Sequence, residues 1–138
     1  MKGFLNNKNK WLILILSIIL ALGVFLRVYR AGHQSLWTDE ISSAMISSSP
    51  IHEIISRNLS PDKADIPVEE PPFPYILMHY SMAAGGENEF FARLPAIVFG
   101  ILGIYAVFLV ASEFFGKRAV IFSAFLISIS LYHILYSQ

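Results

Sequence analysis

The chain reads as an all-α polytopic membrane protein, with three transmembrane helices and a long extracytoplasmic loop containing short amphipathic helices. Three observations predict this. Only 14% of the 138 residues are charged and 55% are hydrophobic, whereas soluble domains carry about 25% charged residues. Charge is absent from residues 11–26, 94–112 and 119–138, runs of 16, 19 and 20 residues. Nine of the ten acids, all but Glu113, fall between the first two runs.

A hydrocarbon core of about 30 Å needs roughly 20 residues of helix, so the second and third runs suffice as they stand. The first reaches that length if Arg27 snorkels and Val28 and Tyr29 sit at interfacial depth. Its alternative is a cleaved signal peptide, with Lys2, Lys8 and Lys10 as the basic region and Ala21-Leu22-Gly23 near a cleavage site. The apolar run continues past that site and exceeds the roughly 7 to 15 residues usual for such a segment, so a retained anchor is expected. Lys and Arg near helix ends mark the cytoplasmic side. Lys2, Lys8 and Lys10 precede the first run, and Lys117-Arg118 lie between the second and third. The chain therefore divides into a cytoplasmic N-terminus with the first span (1–29), an extracytoplasmic loop (30–90), and two spans joined by a short cytoplasmic turn (91–138). Arg27 and Arg30 argue mildly for the reverse orientation.

Structureless loops beyond roughly 12 to 15 residues are uncommon, and helix signals divide this one. Thr38 is a good N-cap for a helix over residues 39–46. Ser49-Pro50 opens another, in which Ile51, Ile54, Ile55 and Leu59 share a face suited to the membrane interface. Residues 60–72 are rich in proline and acid and read as an exposed loop. Residues 73–82 are too short to span and suit a helix at the membrane surface, ended by Gly85-Gly86.

With zero formal net charge the chain shows no basic stripe for nucleic acid. With no cysteine it has no thiolate metal site, disulfide or thiol nucleophile. Carboxylates and arginines carry the remaining candidates. Asp39 and Glu40 either complement a helix dipole or supply a catalytic carboxylate at the outer mouth of the first span. Glu69 and Glu70 form either a solvated patch or, with Asp39, hard oxygen ligands for a divalent cation. Arg27, Arg30 and Arg93 either anchor helices at headgroup level or clamp a lipid phosphate. His133 and Tyr136 read as interfacial, while His33, His52 and His79 lack ligand spacing. The glycosylation sequon Asn58-Leu59-Ser60 is disfavoured by Pro61.

Several short stretches follow one another in a familiar order. They are Phe25-Leu26-Arg27, Leu36-Trp37-Thr38-Asp39-Glu40-Ile41, Pro71-Pro72-Phe73-Pro74, Ala92-Arg93-Leu94-Pro95, Phe115-Gly116-Lys117-Arg118 and Tyr132-His133-Ile134-Leu135-Tyr136. In these the chain resembles the N-terminal third of the polytopic C-superfamily glycosyltransferases. The likeness is to members related to protein O-mannosyltransferases and lipopolysaccharide-core sugar transferases.

The resemblance implies transfer of a sugar from a polyprenyl-phosphate donor to a protein, lipid or glycan acceptor on the outer face, with inversion. It assigns the general base, or its positioning, to Asp39, with Glu40 beside it. Arg27, Arg30 and Arg93 are its candidates for the leaving phosphate. Relatives often carry His or Lys before the Pro-Pro pair, where this chain has Glu70, which could hold a phosphate only through a cation. Relatives also have more spans, so the expectation is an N-terminal fragment completed by further transmembrane helices or a partner subunit. The rival reading is a non-enzymatic membrane subunit whose acidic loop binds a partner or cation. A transporter fits less well, because the spans carry no charge.

Overall fold

The computed structural model describes residues 10–29, 31–59 and 71–137, and every described regular element is a helix. They are α1 (Lys10–Val28), α2 (Thr38–Ser47), α3 (Ile51–Leu59), α4 (Pro72–Gly85), α5 (Glu89–Phe114), α6 (Lys117–Ile129) and α7 (Leu131–Leu135). The basic residues Lys2 and Lys8 and the acidic loop over residues 60–70 lie outside the described residues. The chain forms two compact units, Met1–Tyr29 with Ala96–Gln138, and Arg30–Pro95.

In the first unit α1 packs on α6. Leu12, Ile19, Ile104, Val120 and Ala124 are buried, while many larger apolar side chains of these helices face outward. That inside-out distribution suits helices surrounded by lipid. Among the described residues two helices are long and apolar enough to cross a membrane, α1 with 19 residues and α5 with 26.

The third uncharged run differs from expectation, being two helices rather than one. At 13 residues, α6 is only about 20 Å long at 1.5 Å per residue. The chain leaves the helix at Ser130 (φ −60°, ψ 114°), whose hydroxyl accepts the His133 N–H and starts α7. A serine N-cap favours such a restart, and the carbonyls that the break frees at the end of α6 have a partner in Arg27, described below. Glycines of α5 make room for α7 and the residue after its end, since a Cβ on Gly100 would clash with Ser137 Cβ and one on Gly103 would lie 3.1 Å from His133 Nε2.

In the second unit Ile46 of α2, Ile54 of α3 and Tyr75 of α4 form a small buried core, with Ile76 against it. Of the apolar face expected for α3, Ile54 packs inward against Ile46 and Tyr75, while Ile55 stays 40% exposed. The Pro50 carbonyl accepts the Glu53 and Ile54 N–H groups, so Pro50 is the residue just before the first helical position of α3. His79 Nδ1 donates to the Ser47 carbonyl (2.8 Å), satisfying an acceptor at the C-terminus of α2. Gly86, at φ +98°, closes α4 in a backbone region that favours glycine.

Pro95 lies within α5 and cannot donate to the carbonyl four residues back. The Ser81 hydroxyl of α4 donates to that carbonyl, on Phe91, at 2.6 Å. One hydroxyl thus repairs the proline's missing bond and ties α4 to the first turns of α5.

Candidate functional site

The predicted acids sit at the start of α2. Trp37, rather than Thr38, is the N-cap residue, in extended conformation, and Glu40 is the third helical residue. Glu40 Oε2 accepts the Trp37 N–H at 2.9 Å, one half of a capping box. Asp39 is exposed. It lies seven residues before buried Ile46 and hence, at 3.6 residues per turn, on nearly the same face of α2.

Glu40 is gripped by Arg93. Arg93 Nε donates to Glu40 Oε1 (2.8 Å) and Nη2 to Oε2 (2.7 Å), a two-pronged charge-assisted pair. Arg93 also donates through Nη1 to the Ala31 and Gln34 carbonyls (2.6 and 2.9 Å) and through Nη2 to that of Ser35 (3.2 Å). A guanidinium has five N–H donors, and here each has a protein acceptor. Arg93 is only 5% exposed.

The expected phosphate clamp thus meets a different geometry at Arg93. It orders the loop before α2 and fixes the first turn that carries Asp39, and a phosphate would have to displace one of these bonds. Glu40, expected beside Asp39 as a second catalytic acid, is likewise occupied. Burial acts to raise its pKa, but the Arg93 hydrogen bonds, the Trp37 N–H and the Arg93 charge together outweigh it. The carboxyl is held below its ordinary value.

Arg27 does not snorkel. It is 0% exposed within the first unit. Its Nη1 donates to the Gly23 and Ser128 carbonyls (2.9 and 3.2 Å) and its Nη2 to the Ile127 carbonyl (3.2 Å). Ile127 and Ser128 belong to the last turn of α6, where carbonyls lack helical partners and a cation is favoured by the dipole. Nη2 also meets His133 Nδ1 at 2.6 Å. A guanidinium can only donate, so this nitrogen is the acceptor, and the proton of a neutral ring sits on Nε2. His133, expected to be interfacial, is a partner of Arg27, while Tyr136 is exposed and stacks on Tyr132.

Arg30, Glu69 and Glu70 lie outside the described residues. Among the described residues no three His, Asp or Glu side chains come together as a metal site. The Glu40–Arg93 and Arg27–His133 pairs carry no sequence signal, since their partners are 53 and 106 positions apart. The only hint is an arginine standing at the edge of an uncharged run.

Residues 69–138, just over half of the chain, match the family described as dolichyl-phosphate-mannose-protein mannosyltransferase. The matched segment contains Arg93 and His133 and begins after the turn that bears Asp39 and Glu40. No curated protein matches the chain, and no solved structure does. Two helices of membrane-crossing length and composition accord with a family of membrane glycosyltransferases. The chain belongs to the dolichyl-phosphate-mannose-protein mannosyltransferase family.

Proposed function

We propose that the protein serves transfer of a sugar, of the mannose type named by its family, from a polyprenyl-phosphate donor to an acceptor hydroxyl at the outer face of the membrane. One observation carries this reading. Glu40 is neutralised and pinned by Arg93, while its neighbour Asp39 is left exposed on the same rigid turn.

In the proposed reaction Asp39 takes the proton of the acceptor hydroxyl, and that oxygen attacks the anomeric carbon. The bond from carbon to the phosphate oxygen breaks, polyprenyl phosphate departs, and the configuration inverts. Asp39 is the general base and Glu40 and Arg93 are positioning residues. With the Arg93 donors and the terminal N–H groups of Arg27 engaged, Arg30 becomes the local candidate for stabilising the departing phosphate. In this reading α1, α5 and the α6–α7 pair cross the bilayer, and the loop between α1 and α5 lies outside.

Two measurements test the reading. The chain has no cysteine, so His52→Cys provides a unique thiol on exposed His52. It should react with a membrane-impermeant maleimide added to intact cells. Membranes carrying the chain together with the transmembrane helices or partner subunit expected to complete it should move radiolabel from a polyprenyl-phosphate sugar to an acceptor. Labelling of the thiol only after lysis, or no transfer above control membranes, overturns the proposal.

A further inference from the structure

The described residues of the first unit leave an apolar groove of about 280 Å³ between α1 and α5. Its walls include Ile13, Ser17 and Leu20 of α1, Tyr105 and Phe108 of α5, and Ala124 of α6. The close partner of α1 is α6, which leaves room on the side toward α5. Protein interiors are close-packed, and an apolar cleft of this kind does not hold water. It calls for an apolar occupant.

The charges at one end of the groove indicate which occupant. Gly23 of α1 lies beside Ser128 of α6, and the groove joins earlier residues of α1 to Ala124, so these two helices run in the same direction. Their starts, at Lys10 and Lys117, come to one end of the unit, and both lysines are exposed. Lys10 stands three, seven and ten positions before Ile13, Ser17 and Leu20, on the groove side of α1. Lys117 stands three and seven positions before buried Val120 and Ala124, on the face of α6 that meets α1. The first turn of α6 also holds Arg118 and no acid, and its N-cap, Gly116, supplies no side-chain bond. The positive end of a helix dipole disfavours cations there, so an anion from outside relieves the turn. Glu113 is the only acid of the unit.

We propose that the groove binds one acyl chain of an anionic phospholipid whose phosphate is held by Lys10 and Lys117. The lipid belongs to the leaflet at that end, the cytoplasmic one in the orientation expected from the sequence. Lysine stems follow apolar surface while their ammonium groups stay at headgroup level, and an anionic headgroup is attracted to them there. A further transmembrane helix would fill the groove but bring no phosphate to the two lysines. The site rests on the reading of α1 and α5 as spans, and its test does not depend on sugar transfer.

The protein has two tryptophans. Trp11→Phe and Trp37→Phe remove them, and Tyr105→Trp then places a single fluorescent reporter in the groove. In phosphatidylcholine vesicles holding the full chain, brominated phosphatidylglycerol added as a minor component should quench this emission. Its affinity should exceed that of brominated phosphatidylcholine by about 5-fold for each lysine engaged. Lys10→Gln with Lys117→Gln should make the two lipids equal. Equal quenching in the parent would show that the headgroup is not read, and quenching by neither would show that another helix or a second copy covers the groove. A preference that survives loss of both lysines would place the phosphate elsewhere. Each of these overturns the proposal. Melting temperature in detergent gives a reading without the reporter. Phosphatidylglycerol, but not phosphatidylcholine, should raise it for the parent and not for the double lysine variant. Equal rises in the two proteins, or none in the parent, also overturn the proposal.

Discussion

Arg93 and Glu40, 53 positions apart in the chain, are joined by two hydrogen bonds of 2.8 and 2.7 Å. The arginine's remaining donors hold the carbonyls of Ala31, Gln34 and Ser35. The exposed Asp39 therefore stands on a turn fixed from two directions. Such bracing keeps a catalytic group in place without using that group's own hydrogen bonds.

Arg93→Met should destabilise the fold by about 3 kcal/mol, the low end for a broken buried pair because Glu40 keeps some contact with solvent. Arg93→Lys should recover little, since an ammonium cannot reproduce the fork or reach all the carbonyls. Chemical unfolding in detergent micelles checks both. A lysine variant as stable as the parent would mean that the fork is unimportant.

The same pair sets a pH dependence. The folded Glu40 carboxyl is held below its ordinary value. Its contribution is therefore complete above the ordinary glutamate pKa and is lost as pH falls through the lowered folded value. Melting temperature should drop on acidification through that window, and Glu40→Gln should flatten part of the drop. If Glu40→Gln and parent lose stability in parallel on acidification, the carboxyl is not linked to folding.

Ser81→Ala should cost about 1–2 kcal/mol, because it leaves the Phe91 carbonyl without the donor that Pro95 cannot supply. In a Pro95→Ala background the backbone N–H returns, and the same serine change should cost less. A double-mutant cycle by unfolding reads the difference, and additivity would remove the proposed repair.

Two glycines of the first unit should respond differently to alanine. At Gly100 the new Cβ clashes with Ser137 Cβ, next to the backbone just after α7, whereas at Gly23 it meets the far end of the Ile104 side chain at 2.6 Å. Gly100→Ala should cost about 1–3 kcal/mol through overpacking, and Gly23→Ala less. Melting temperatures in detergent rank the two.

The lengths of α1 and α5 were legible because absence of charge over a span is a local property. The break at Ser130 was not, since an uncharged run looks alike whether one helix or two occupy it. Only the distant Arg27 satisfies the carbonyls that make the break tolerable. The face of α3 was legible as apolar, but periodicity does not say whether Ile54 meets lipid or Tyr75. Asp39 and Glu40 were equal candidates by spacing, and the long-range partner Arg93 separates them.

Transfer of radiolabelled sugar from polyprenyl phosphate, assayed in membranes carrying the parent or Asp39→Asn chain together with the helices or partner subunit expected to complete it, tests the assignment of the base most directly. Loss of a general base predicts a fall of at least about 100-fold, with membrane insertion and melting temperature unchanged. Transfer by Asp39→Asn at the parent's rate would contradict it.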